Sequence, residues 1–220
     1  MSKPTKPVQI AAIGVGLVYA AVLYLLGVEL DSKIKQGLAL LPAAAALLVL
    51  AFDLWLWKAP GLRRLAKRPR IDGAWLTTIR PNPKSAIPRG GNKGPITGAV
   101  IIEQTYWSIS VRSLTAESRS RSTSAAFRQA GDSAKTWLLA YTYLNEPYQE
   151  HRPRSQPHVG ASQFEMTGDQ PTHMTGTYWT ERLTAGDIEL TWKTRNTGYA
   201  TLAAFLTEHG PTPQPDGTDG

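Results

Sequence analysis

The sequence contains no cysteine. Disulfides, thiolate metal sites and a cysteine nucleophile are therefore excluded, and the chain suits a reducing compartment. Acidic residues are scarce at the N-terminus. In residues 1–70 only Glu29, Asp31 and Asp53 stand against ten Lys and Arg, whereas residues 71–220 hold fourteen of each sign. The whole formal excess of +7 thus lies in the first third of the chain. That placement marks membrane topology rather than a polyanion partner, because a duplex-binding domain carries its own basic excess. No DNA or RNA polymer is expected as a ligand. Catalytic signatures are also missing: there is no phosphate-cradling glycine motif, no nucleophile elbow and no metal-ligand spacing. The four histidines (His151, His158, His173, His209) are scattered. No enzyme, cofactor or metal site is expected.

What is present begins with two apolar runs. Val8–Val28 carries no charge, and Gly37–Trp57 carries only Asp53. About twenty apolar residues cross the hydrocarbon core as a helix. The first run is longer than the apolar region of a signal peptide, and Glu29-Leu30-Asp31 follows it instead of a small-residue cleavage site. The link Glu29–Gln36 allows only a tight turn, so residues 1–70 are expected to form an antiparallel transmembrane hairpin. Lys3 and Lys6 before it, and Lys58, Arg63, Arg64, Lys67, Arg68 and Arg70 after it, place both termini in the cytoplasm. Trp55 and Trp57 suit the interfacial aromatic belt, and Pro42 falls in the first turns of the second span, where it is tolerated. Ala12, Gly16 and Ala20 are spaced four apart and share one helix face, a candidate for close helix packing or simply the small residues common in spans. Asp53 reads either as a functional intramembrane carboxylate or as a headgroup-level residue near Lys58.

From Ile71 the period changes to two. Candidate strands are Trp75–Arg80, Gly98–Glu103, Trp107–Ser113, Ser118–Phe127, Thr136–Leu144, Ser162–Gly168, Thr175–Glu181 and Ile188–Thr194. Trp107, Ile109 and Val111 read as inward, as do Ile188, Leu190 and Trp192. Turns are expected at Gly131-Asp132, Gly168-Asp169 and Gly186-Asp187. Eight short, near-evenly spaced strands with hairpin links predict an antiparallel, up-and-down, lipocalin-like β-barrel over residues 71–209. Pro81–Thr97 reads as a long functional loop, Asn145–Pro157 as an irregular link, Tyr199–Leu206 as a short helix, and residues 210–220 as a disordered tail.

Aromatic and cationic residues at neighbouring strand positions suggest a ligand site. Tyr106, Trp107, Trp137, Tyr141, Tyr143, Tyr178, Trp179 and Trp192 supply ring faces for stacking, and Arg112, Arg119, Arg121, Arg182 and Arg195 supply forks that bind phosphate. From these the expected ligand residues are Tyr106, Trp107, Arg112, Arg119, Arg121, Tyr141, Tyr178, Trp192 and Arg195. Ser118–Ser124 places hydroxyls on one strand face and Arg119 and Arg121 on the other, with the phase of that strand left open. Core filling by the rings and solubility from outward arginines account for each residue singly; the set supports a ligand binder at a barrel mouth.

The layout resembles a known family. A short basic N-terminus, two spans with a tight turn, a basic juxtamembrane run and a β-domain, with Asp72-Gly73-Ala74-Trp75 opening the first strand and Gly176-Thr177-Tyr178-Trp179 in a late one, look like the two-transmembrane, β-strand-rich effectors of CBASS antiphage signalling, the CD-NTase-associated protein 15 family. The resemblance implies a cyclic dinucleotide ligand made by a partner CD-NTase nucleotidyltransferase. It also implies homo-oligomerisation, disruption of the bacterial inner membrane and death of the infected cell. The alternative is a membrane-anchored scaffold or assembly protein whose β-domain binds another protein.

Overall fold

The computed structural model describes residues 14–16, 18–19, 21–23, 32–130 and 135–210, with backbone alone for 32–40 and 64. Ala12, Ala20, the turn Gly131-Asp132, residues 211–220 and most of Val8–Val28 lie outside them. The described residues fall into two units. One runs to Arg68 and includes Thr105–Ser108; the other comprises Pro69–Gln104 and the chain from Ile109 onward.

In the first unit, helix α1 spans Ser32–Leu54. Its run of Ala and Leu, the strongest helix formers, accounts for it. The helix begins within the expected turn, five residues before Gly37. Pro42 therefore sits well inside α1 and not in its first turns, where its ring removes one backbone hydrogen bond. The helix also stops before Trp57: Trp55 leaves helical geometry at φ −136°, and a 3-10 turn, Leu56–Lys58, follows. Pro60 then opens a short helix α2, Pro60–Ala66, at the position where proline's missing N–H costs nothing. Gly16 is helical, and a Cβ placed there would touch nothing within 4 Å. Among the residues described with their side chains, no helix is long and apolar enough to cross a membrane.

Asp53 is 4% exposed. Its carbonyl accepts hydrogen bonds from Trp57 Nε1 and from the Tyr106 N–H, both at 3.0 Å, and its Oδ1 accepts from the Trp107 N–H at 3.1 Å. Phe52, Trp57, Tyr106 and Trp107 pack around it edge to face or tilted, with centroids 4.9–6.0 Å apart. Arg68 bonds the Tyr106 carbonyl and lies 5.1 Å from its ring. Asp53 thus caps the turn 105–108, a role that the sequence did not suggest.

The second unit is a closed antiparallel barrel of eight strands in sequence order, β8 returning to β1. The strands are β1 Gly73–Pro81, β2 Ile96–Gln104, β3 Ile109–Thr115, β4 Ser118–Gln129, β5 Thr136–Pro147, β6 His158–Thr167, β7 His173–Thr180 and β8 Ala185–Thr194. Each expected strand is present with shifted ends. Trp107 is the main correction. It lies in the turn before β3, 36% exposed, and does not point inward. Gly186-Asp187 is no turn either. Both residues belong to β8, and the chain reverses at Glu181–Thr184 with Leu183 at φ 59°. The expected helix is shifted to α3, Leu202–His209, capped by Thr201.

Closure leaves alternate residues inside. At the end where β2, β4 and β6 finish, the interior is apolar: Trp75, Ile102, Val111, Leu139, Phe164, Met174 and Leu190 are buried. Ile71 and Gln104 seal that end. Gln104 Nε2 donates to the Pro69 carbonyl and its Oε1 accepts from the Ile71 N–H, both at 2.9 Å. A second core lies outside the wall, where Tyr199, Phe205 and α3 cover Ala74, Ala99, Ile101 and Leu114. This explains the unbroken apolar run Ala99–Ile102, since β2 is buried on both faces.

The narrow interior accommodates large rings opposite glycines. Tyr143 faces Gly160, Phe164 faces Gly176 and Tyr178 faces Gly186. A Cβ on Gly160 would come within 2.4 Å of the Tyr143 ring, and one on Gly176 within 2.1 Å of the Gln163 carbonyl oxygen. Gly176→Ala is expected to cost about 2–3 kcal/mol, because backbone cannot step aside, and Gly160→Ala about 1 kcal/mol, because the tip of Tyr143 can. Equilibrium unfolding of the two variants checks this; equal losses would contradict it.

Candidate functional site

The apolar filling does not extend along the whole barrel. Toward the opposite end, where β1, β3, β5 and β7 finish, the inward positions become hydroxyls and amides. There they enclose a cavity of about 200 Å³. Its wall includes Thr77 and Ile79 of β1, Ser118 and Ser120 of β4, Tyr141, Tyr143 and Asn145 of β5, His158 and Ser162 of β6, and Tyr178 and Thr180 of β7. Period-two alternation creates the set: Tyr141, Tyr143 and Asn145 follow one another on the inner face of β5, as do His158, Gly160 and Ser162 on β6.

The phase of β4, open from the sequence, is settled by burial. Ser120 is buried while Arg119 and Arg121 are exposed, so the hydroxyl face looks inward. Past Ser122 a register shift turns Thr123 and Ser124 outward and lets Ala125 and Phe127 join the apolar core.

Among the lining residues Glu117 alone is a carboxylate, and it is paired with Arg154 of the basic rim. No Lys or Arg lines the cavity. Burial raises the phenols of Tyr141 and Tyr178 to about 12 and pushes Tyr143 up further, so all three stay protonated. Ser162 lies close enough to Tyr141 and Tyr143 to offset this slightly, yet its Oγ makes no hydrogen bond of ordinary geometry. Thr77 Oγ1 likewise has no protein partner, although Thr77 is 0% and Ser162 2% exposed. Desolvation first, then the charge of Arg182, lowers the His158 pKa below its usual 6.5. Its Nδ1 lies 2.9 Å from the Gln156 carbonyl, which calls for the N–H there and leaves Nε2 as an acceptor.

The rim is made by four connections: residues 82–95, 116–117, 148–157 and 181–184. Together they hold six Lys and Arg against three Glu, in a domain of otherwise balanced charge. A smaller recess of about 150 Å³ adjoins the mouth, sharing Asn92, Ile96, His158 and Tyr178 with the main cavity and adding Arg154 and Arg182. Arg154 pairs with Glu117 at 2.9 Å and donates to the Gly90 carbonyl at 3.1 Å. Arg182 donates to Ser155 Oγ at 2.6 Å and makes no ion pair with a carboxylate among the described residues. The loop 82–95 is tied down beside this recess: Ser85 Oγ donates to the Ala185 carbonyl and accepts its N–H, and the Ala86 N–H donates to the Leu183 carbonyl.

Of the ligand residues expected from sequence, the structure brings only Tyr141 and Tyr178 to the cavity. Trp192 belongs to the apolar end of the interior. Arg195 lies 5.1 Å from its ring and bonds Asp72, which also holds Arg70 at 2.8 Å. Arg112 is outside the wall, donating to the Thr197 carbonyl at 2.9 Å; Arg119 pairs with Glu146 at 3.0 Å; Arg121 is exposed on the outer face opposite Arg112. Tyr106 and Trp107 belong to the helical unit with Asp53. The reason is the pleat. Neighbouring positions on a strand point to opposite sides of the wall, so an inward ring and the arginine beside it cannot converge. His158 and His173 also lie at opposite ends of the barrel. No cluster of metal-ligating residues occurs among the described residues. Tyr143, one of the ring faces seen in the sequence, and Arg182, one of its arginines, lie at the cavity and its rim although outside the expected ligand set. Thr77, Asn145, His158 and Ser162 line the cavity without having been singled out, and period-two extension from Tyr141 through Tyr143 reaches Asn145.

The cavity can therefore stack and hydrogen-bond an uncharged planar group while its rim meets negative charge. Residues 66–192, more than half of the chain, match the family described as "Cap15, cyclic dinucleotide receptor domain". No curated protein matches the chain. The chain belongs to the Cap15 family, and its eight-stranded barrel is that family's cyclic dinucleotide receptor domain.

Proposed function

We propose that this protein is the membrane effector of a CBASS antiphage system. A cyclic dinucleotide made by a partner CD-NTase enters the barrel mouth, the protein assembles into homo-oligomers, and its N-terminal hairpin disrupts the inner membrane and kills the infected cell. The observation that carries this reading is the cavity with a tyrosine- and hydroxyl-lined interior, free of Lys and Arg, beneath a basic rim, within a domain of the receptor family. Two further features support the output. Leu41, Leu47 and Leu48 of α1 and Val18 stand exposed, as lipid-facing residues do. On the outer wall beside the mouth, Leu144, Val159 and Trp179 are exposed on adjoining strands β5, β6 and β7, an apolar patch suited to contact between copies. The scaffold alternative shares that patch but gives the cavity no ligand.

Calorimetric titration of the full chain in nanodiscs with a panel of cyclic dinucleotides tests the receptor step. Saturable binding by one or more members is expected; no heat from any member would favour the scaffold. Arg182→Ala should weaken binding on the order of 10- to 100-fold by removing a charge-assisted contact to phosphate, while Arg121→Ala should leave it unchanged. Trp179→Arg should abolish ligand-dependent assembly, read by analytical ultracentrifugation, with affinity retained.

His158 supplies a pH dependence. Because its folded pKa lies below 6.5, unfolded chains take up the proton first, and the ligand-free protein loses stability as pH falls below about 6.5. Phosphate at the rim favours the protonated ring, so ligand affinity should rise over the same fall in pH. Thermal melts and titrations between about pH 5.5 and 7.5 check both signs, and His158→Gln should flatten both curves.

A further inference from the structure

Resting on the receptor reading above, we infer that the barrel swallows one nucleobase of the dinucleotide and leaves the other outside, so that specificity is set by a single base, read by Thr77 and Ser162. Three observations lead there. The cavity, at about 200 Å³, is smaller than the sites that usually enclose drug-sized ligands. A dinucleotide cannot place two bases and two phosphates in it. The wall carries no Lys or Arg, so a phosphodiester drawn inside would be an unpaired buried charge, whereas Arg154 and Arg182 wait at the rim. What enters must be neutral and flat, and Tyr141, Tyr143 and Tyr178, all held as phenols, offer it ring faces and hydroxyls.

The third observation concerns the floor. Thr77 Oγ1 is a buried hydroxyl with no hydrogen-bond partner among the described residues, and Ser162 Oγ, beside the Tyr141 and Tyr143 phenols, makes no bond of ordinary geometry; both residues line the cavity. Buried polar groups in native proteins are nearly always paired, and an unpaired one costs stability. Both residues belong to the wall of the cavity that a ligand would occupy. A base whose edge satisfies the two hydroxyls regains that cost; a base that does not leaves them orphaned, which is how a hydrogen-bonding site rejects a near-isostere. A cyclic ligand with two identical bases then has two equivalent ways to enter, and a mixed one has a single way.

The test is a titration series on the full chain in nanodiscs with 3′,3′-linked cyclic di-AMP, di-GMP and di-UMP and the three mixed dinucleotides. With X the preferred base and Y another, the expectation is that mixed XY binds only about twofold more weakly than XX, the statistical factor, while YY binds at least about 30-fold more weakly. An XY affinity at the geometric mean of XX and YY would show that both bases are read alike, and would overturn the inference while leaving the receptor reading intact. No binding by any of the six would remove the receptor reading itself, and this inference with it. Thr77→Val supplies a second arm. It deletes the hydroxyl at nearly constant volume, so it should weaken XX and XY about tenfold, change YY little, and leave the unliganded thermal midpoint equal or higher. An equal loss for all ligands, or a lowered midpoint, would mark Thr77 as structural and overturn its assignment.

Discussion

The structure depends on the limited room inside a closed eight-stranded wall. An interior of this size is just wide enough for side chains to fill. Three of the inward rings find room opposite a glycine on the neighbouring strand: Tyr143 over Gly160, Phe164 over Gly176, Tyr178 over Gly186. The consequence differs along the axis. Around Phe164 the rings meet Trp75, Leu139 and Leu190 and complete a dry core. Around Tyr143 and Tyr178 the inward partners are small hydroxyl residues, and the same packing rule leaves a cavity. One barrel thus divides into a stabilising half and a receiving half without any change of fold.

That division also sorts the charges. A low-dielectric interior cannot hold unpaired ions, so the one carboxylate on the cavity wall, Glu117, is paired with Arg154, and the buried phenols are driven to remain protonated. The cations nearest the cavity lie in the connections that form the rim, with Arg182 held by Ser155 and by the Arg154 carbonyl. The result complements a ligand that is flat and neutral at one end and anionic in the middle, as a cyclic dinucleotide is. The balanced charge of the domain as a whole conceals this local asymmetry.

Much of the fold was legible because period-two alternation and turn residues are local signals. All eight strands, their antiparallel order and the inward phase of Ile188, Leu190 and Trp192 follow from them. The errors share one origin: the sequence does not show what lies across the wall. Gly186 looks like a turn residue until Tyr178 is placed opposite it. Trp107 continues the alternation of Ile109 and Val111, yet hydrogen bonding from its N–H to Asp53 keeps it in the turn. The candidate site suffered most. Sequence proximity groups arginines with aromatics, and the pleat turns that proximity into separation; of the grouped arginines Arg182 alone reaches the recess beside Tyr178, with Arg154, through loop geometry. The proposed membrane hairpin rests on hydropathy and charge bias, signals that belong to the solvent rather than to side-chain contacts.

The central claim is that the ligand is recognised inside the barrel, at the end bounded by residues 82–95 and 148–157. Hydrogen–deuterium exchange on the full chain in nanodiscs, with and without a saturating cyclic dinucleotide, tests it most directly. The account predicts slowed exchange in those two connections and in the adjoining ends of β5, β6 and β7. Protection confined to the outer-face strands around Arg112 and Arg121, or to the turn 105–108, would contradict it.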